Sequence, residues 1–534
     1  MMSNADAAAA GVPRAEATGF WRLARPAGTR RSWLIAPDGH AVFLLGVNTV
    51  MRDTRRRGTP RCASIRRYIR RVDPTTAAHV EWARLSDGFS GGHSVPRPYW
   101  FNSVGAFSEI NDFDDSGGDS YMIRPPELGG AGAPYAVVLD VAPRGDDRAL
   151  KDEAGDVLSS GLGDQRLGDP FNPAFLSDLD ALVEELVAAR RGDARLQMWF
   201  AGNEIGIFDV AAHGGGVRDL RRWIWSDVPA GSSIDRPACA RHALAAFLRD
   251  IYAGSVGALN AAWDSRYPDF SAIVDGGPRP VPYVHDCNHR CRDDLQRFVH
   301  DRLLREWVRA VTLRIRAADP DHLIASPRLA IATPARYRFW RGRSHSDFDR
   351  WAEPPTAPVG DDGPLVRYCP FDLLARDGAA GFDLAAVNGY TGAVTFPRPW
   401  FTDGIHKLQR LSGLPVLISE FGIRARIEGW SNRGGAGAFV PRAAPAAQQR
   451  ERGERYRSQI DQFIGFRNVV GATWHAWSDR FNATDTRLQI NLGLVQCTDR
   501  AHAMQAGRRW RPIDALIAET NRTVMARIAA KTGL

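Results

Sequence analysis

The chain has 534 residues, 44% of them hydrophobic and 10% aromatic, enough to bury a large core and long enough for two average domains or one heavily inserted barrel. Its formal charge of +8 and pI near 9.4 come almost wholly from arginine, since lysine occurs only at Lys151, Lys407 and Lys531; with no reading-helix or stacking motif beside it, the excess reads as composition and not as a nucleic-acid surface. Met1 to Gly19 hold no continuous apolar core of signal-peptide length and nothing later approaches a membrane span, so a soluble, cytoplasmic protein without a membrane partner is expected.

In chain order, residues 1–18 read as a disordered leader. Gly19 to Arg22 and Ser32 to Leu45 then read as strands around turns, an N-terminal β-hairpin of about residues 19–42 with Pro37-Asp38-Gly39 at its tip. The basic stretch Arg52 to Arg71, interrupted by Asp53, reads as a solvated helical face. Eight apolar runs of strand type follow one another: Phe43 to Asn48, Trp100 to Gly105, Tyr135 to Val141, Leu196 to Glu204, Leu323 to Arg328, Leu384 to Tyr390, Val416 to Glu420 and Gly471 to Trp477.

Segments of helical period lie between them. In Phe175 to Arg190 the residues Leu176, Leu179, Leu182, Val183 and Leu186 make one apolar face; Asp294 to Ala318 ends at Asp319-Pro320, and Pro512 to Lys531 closes the chain. Buried strands alternating with helices predict an α/β fold, a parallel (β/α)₈ TIM barrel forming a single domain over residues 19–534. A doubly wound open sheet is disfavoured because no Gly-rich phosphate loop follows an early strand. Insertions at 109–133, 143–170, 351–364 and 427–447 all follow strands and are expected to crowd one rim.

Six cysteines form no evident disulfide framework. The cluster His285-Asp-Cys287-Asn-His289-Arg-Cys291 does not have the spacing of a zinc ribbon or finger; a reduced structural pair is the first reading, and a metal there stays open.

Polar residues gather at the C-terminal ends of the runs, the rim where such barrels build their sites: Asn48, Asn102, Asp140, Asn203, Glu204, Arg328, Asn388, Tyr390, Glu420, Trp474 and His475. Glu204 and Glu420 carry the most information. A buried strand has little structural use for a carboxylate at its tip, and two of them facing one another are what glycosidic bond cleavage needs, one protonating the leaving oxygen and the other meeting the oxocarbenium ion. Sixteen tryptophans suit the flat faces of sugars, although core packing accounts for most of them.

On these residues the chain resembles the retaining glycoside hydrolases of the barrel clan with a glutamate acid/base on strand four and a glutamate nucleophile on strand seven. Within that clan it is most similar to the agarase-type and, more distantly, the β-galactosidase-type enzymes. The likeness rests on Trp33-Leu-Ile-Ala-Pro-Asp-Gly-His with Leu45-Gly-Val-Asn48, Asp169-Pro-Phe-Asn-Pro-Ala-Phe175, Phe247 to Tyr252 with Leu259 to Trp263, Asp319-Pro-Asp-His-Leu323, Gln449 to Arg452 before Tyr456, Trp474-His-Ala-Trp477-Ser-Asp479 and Asn491 to Leu494.

The resemblance implies that Glu204 is the acid/base, Glu420 the nucleophile, and Asn203 a partner of the sugar 2-hydroxyl. Tyr390 is expected to hold an oxygen of Glu420, Trp474 to lie as a floor under the cleaved ring, and Arg328 to orient a carboxylate or a substrate oxygen. Asn48, His475, Asp479 and Asp140 are expected as polar lining, while Trp223, Trp225 and Trp430 serve outer sugar positions or pack the insertions. The chemistry needs no metal and no organic cofactor. Without the binding sandwich and export signal usual in agarases, the expected substrate is a short β-linked galactoside cleaved exo; a glucoside, fucoside or arabinoside, or a non-catalytic carbohydrate-binding barrel, are the alternatives. A homo-oligomer is compatible with the sequence.

Overall fold

A computed structural model describes residues 13–48, 101–106, 134–151, 157, 166–205, 239–275, 288–330, 371–389, 399–424, 438–439, 445–476, 492–494, 503–506 and 509–532. Each of the eight apolar runs contains a strand. Leu44–Val47, Ser103–Val104, Tyr135–Val138, Leu196–Phe200, Leu323–Ala325, Ala385–Asn388, Val416–Phe421 and Val469–Trp474 are barrel strands one to eight, all pairing in parallel. Strand eight pairs with strand one, and a parallel bridge between Ala325 and Leu384 joins strands five and six, which closes the (β/α)₈ barrel.

Strand five is split. Pro327 has no N–H to give the ladder, and the Ala386 N–H of strand six goes to the Ser326 hydroxyl oxygen at 2.9 Å in place of a backbone carbonyl. The chain resumes as Leu329–Ala330, paired with Val387 and Asn388 of strand six. Strand five thus comes in two pieces, Leu323–Ala325 paired with strand four and, just past the expected run, Leu329–Ala330 paired with strand six.

Alternation along the strands sorts side chains into two layers. Leu44, Val138, Met198, Phe200, Ala386 and Leu417 belong to a cluster within the barrel. Their neighbours Leu45, Val137, Trp199, Val387 and Ile418 belong to the larger shell between sheet and helices. The expected helices form as Pro173–Leu182, which runs on through a wide turn to Arg190, as the nearly continuous His289–Phe298 and Arg305–Ala318, and as Ile513–Arg522 followed by Val524–Thr532. Between strands four and five the chain adds Ala240–Ile251 and Val256–Trp263. No helix among the described residues is long and apolar enough to cross a membrane.

The N-terminal hairpin is a three-stranded meander, Arg22–Ala24, Trp33–Ile35 and Ala41–Val42. Trp21, Leu34 and Ala36 join the cluster inside the barrel, so the meander closes its N-terminal end. Residues 13–18, expected within the leader, are anchored to the meander: Arg14 pairs with His40 and the Ala15 N–H donates to the Gly39 carbonyl at 2.9 Å, while residues 1–12 lie outside the described residues.

Candidate active site

Glu204 follows strand four on a turn that the fifth strand secures. Gly202 adopts φ 108° and Glu204 φ 48°. A Cβ at Gly202 would stand 2.5 Å from Ile205 Cδ1. A non-glycine residue in the left-handed region carries roughly 1–3 kcal/mol of strain and persists only where its surroundings over-determine it. Here the Glu204 N–H donates to the Arg328 carbonyl at 2.9 Å and the Arg328 N–H to the Gly202 carbonyl at 3.1 Å.

Glu420 lies inside strand seven. The register shifts beside it on both sides, between Val387 and Asn388 and between Ile418 and Phe421, and such irregularities re-aim side chains. Its carbonyl accepts the Gly389 N–H at 2.6 Å.

The two carboxylates share one hydrogen-bond network. Arg328 Nη2 donates to Glu420 Oε2 at 2.6 Å and to the Ser419 carbonyl at 2.8 Å, while Nη1 donates to Asn203 Oδ1 at 3.0 Å. Asn388 Nδ2 donates to the same Asn203 oxygen at 3.2 Å and to Glu204 Oε1 at 2.9 Å. The Ser419 hydroxyl donates to Asn388 Oδ1 at 2.9 Å. Both glutamates keep under a tenth of their surface exposed, 9% and 7%, whereas Arg328 and Asn388 are buried beneath them. The Arg328 guanidinium also lies 5.7 Å from the Phe200 ring centroid, so one cation is held between a carboxylate, an amide and an aromatic face.

The structure thus brings Asn203, Glu204, Arg328 and Glu420 together, and it places His475 beside them with Nδ1 3.7 Å from Glu420 Oε1. Arg328 holds a carboxylate oxygen and has no surface exposed. Asp140 follows the third strand half-buried, where burial pushes its carboxyl above the usual range, and its Oδ1 accepts the Ala142 N–H at 3.2 Å.

Three expectations are corrected. Trp474 points outward, not under the mouth: it is fully buried against Phe421 and Tyr456, and its indole N–H donates to the Leu492 carbonyl at 3.1 Å. A sugar floor needs an exposed ring face, which this side chain does not present. Asn48 is equally buried; its Nδ2 donates to the Ser419 carbonyl at 3.1 Å, so it braces strand seven and presents no surface of its own. Asn102 bonds back to Phe43 and Leu45 on strand one and is no rim residue.

Tyr390, Asp479, Trp223, Trp225 and Trp430 lie outside the described residues, as do His285 and Cys287 of the ligand-like cluster. Cys291 is buried. Among the described residues no three metal-ligating side chains converge.

Asn388 shows in the sequence only as one more polar strand end. The one signal of Ser419 is a hydroxyl after the apolar Val416-Leu-Ile run, in a strand buried throughout.

Two solved structures superpose on nearly the whole chain. One is an exo-β-agarase, at 16% identity and a TM-score of 0.61, with 98% of this chain and 66% of that chain covered. The other is an agarase at 15% identity and a TM-score of 0.60, with the same coverage. This chain has their fold. It spans 66% of the length of each, just under two thirds. No protein-family model and no curated protein matches the sequence.

Proposed function

We propose that the protein is a retaining, exo-type glycoside hydrolase acting on β-linked galactosides or related short oligosaccharides by double displacement. The observation that carries this reading is the shared network: two rim carboxylates from strands four and seven, each bound by a different donor, around one buried arginine. The fold common to this chain and to an agarase and an exo-β-agarase supports the substrate class.

In the proposed first step ionised Glu420 attacks the anomeric carbon while protonated Glu204 gives its proton to the glycosidic oxygen, so the bond to the leaving sugar breaks as the glycosyl ester forms. Arg328 gives Glu420 a charge-assisted hydrogen bond before attack. As that charge vanishes, the guanidinium keeps Asn203 and the Ser419 carbonyl as acceptors and is not stranded. In the second step Glu204, now ionised, takes a proton from water, and the hydroxyl displaces Glu420. Asn203 turns its oxygen toward Arg328 and Asn388, so its NH₂ group faces away from both, as a donor to a sugar hydroxyl requires.

Chemical rescue separates the two roles. Glu420→Gly is expected to lose hydrolysis and to regain turnover with azide, giving a glycosyl azide of inverted configuration; Glu204→Ala is expected to give the retained azide. Swapped configurations would exchange the roles. Full activity in both Glu204→Gln and Glu420→Gln would remove the proposal.

A further inference from the structure

We propose that Asn388 and Ser419 are positioning residues that decide which oxygen of Glu204 carries the transferable proton, an inference that rests on the glycosidase reading above. The direction of each hydrogen bond follows from Arg328, because a guanidinium only donates. Its Nη1, 3.0 Å from Asn203, therefore faces the amide oxygen. The Asn388 atom 3.2 Å from that same oxygen must be its amide nitrogen, and the second hydrogen of that nitrogen goes to Glu204 Oε1 at 2.9 Å. The amide oxygen of Asn388 then turns the other way and accepts the Ser419 hydroxyl hydrogen at 2.9 Å. A flipped Asn388 would set oxygen against oxygen at both Asn203 and Glu204.

The consequence falls on the acid. In a carboxylic acid the carbonyl oxygen is the better acceptor, so an N–H directed at Oε1 favours the tautomer with its proton on Oε2. The same logic applies to Glu420, whose Oε2 is held by Arg328 at 2.6 Å, which makes Oε1 the attacking oxygen. Ser419 and Glu420 are adjacent in strand seven. One strand end thus supplies the nucleophile and, through Asn388, orients the acid across the barrel mouth.

The test compares Asn388→Ala and Ser419→Ala with wild type on two aryl β-glycosides, one bearing 2,4-dinitrophenol, which leaves without a proton, and one bearing phenol, which does not. Asn388→Ala is expected to lose about 10²-fold in kcat/KM on the phenyl glycoside and to stay within about 3-fold on the dinitrophenyl glycoside, with the same pattern in smaller measure for Ser419→Ala. Equal losses on both substrates would overturn the proposal, since a merely structural defect does not read the leaving group.

A second measurement needs no turnover. Carbon-13 labelling of glutamate δ-carbons, with Glu204→Gln subtracted to assign the resonance, follows the titration of Glu204 directly. Loss of an N–H that favours the ionised form should move that titration to higher pH in Asn388→Ala, and an unmoved titration would overturn the positioning role. A moved titration in a protein that cleaves no glycoside would support the Asn388 contact and overturn the glycosidase reading instead. If Asn388→Ala does not fold, Ser419→Ala removes a single hydroxyl and is read by the same two measurements.

Discussion

Asp319 is a buried carboxylate put to structural use, and its surroundings differ from those of Glu204 and Glu420 in an instructive way. It sits after a helix, fully buried, and accepts the Trp199 indole N–H at 2.8 Å and His322 Nδ1 at 2.7 Å. Burial alone would raise its pKa, but the hydrogen bonds and charge of His322, with the bond from Trp199, outweigh that and hold it below the usual range. Stabilisation from a depressed carboxylate is present above the unfolded value of about 3.9 and is lost as pH falls through the folded value. Urea unfolding of wild type and Asp319→Asn should therefore differ most above about pH 4 and converge below it; a difference independent of pH would contradict this. The two rim glutamates reach a surface, whereas Asp319 reaches none. In the sequence all three are acids at the ends of elements, and only Glu204 and Glu420 end apolar runs of strand type.

Strand ends hold the site, so packing beneath them should be felt in it. At the end of strand two, a Cβ on Gly105 would stand 2.1 Å from Asn48 Oδ1 and 2.5 Å from Thr473 Cγ2. Asn48 in turn bonds the carbonyl of Ser419, next to Glu420. Gly105→Ala should cost about 1–3 kcal/mol by overpacking and should also lower kcat, because Asn48 cannot yield without releasing strand seven. A variant with a lowered Tm and unchanged kcat would show that the brace does not reach Glu420. Several motifs that carried the resemblance are braces of the same kind. Asp169 accepts the N–H groups of Phe171 and Ala240, at 2.9 and 2.8 Å, and ties the loop after strand three to the helix starting at Ala240. Asp294 takes the Trp263 indole N–H at 2.9 Å and the Tyr252 hydroxyl at 2.5 Å.

At the scale of the barrel, the N-terminal meander and the candidate site sit at opposite ends. Arg31 pins the N-terminal meander by donating to the Ile464 and Val469 carbonyls at 2.7 and 2.6 Å, with Trp33 and Phe43 rings beside it. Burial lowers its pKa to about 10, so it remains charged near neutrality. Arg31→Ala removes two charge-assisted hydrogen bonds to these carbonyls, a loss of roughly 3–5 kcal/mol. Thermal unfolding should report that loss while kcat well below Tm stays near wild type; a large fall in kcat would mean that the plug also shapes the mouth. The proposed exo action is tested at this scale as well. On a defined β-linked oligosaccharide, mono- or disaccharide should appear from the earliest times while longer species shorten stepwise, and early mid-length fragments without small products would contradict it.

The order of apolar runs is enough to specify an α/β barrel and to put Glu204 and Glu420 at the ends of the fourth and seventh runs, because hydrophobic period is a local property of the chain. Which way each side chain points is not local. A strand places successive residues on opposite faces, and a shift of one position exchanges them. The irregular register of strands six, seven and eight decided that Trp474 and Phe421 turn outward into the helical shell. The same geometry brought Asn388 and Ser419 from neighbouring strands into contact with one another. Arg328 and Glu420 stand 92 residues apart and meet because strand six pairs with the segment after Arg328 on one side and with Glu420 on the other. Directional hydrogen bonds between distant strand ends depend on that strand order and on angstrom-scale register, which no stretch of sequence records by itself.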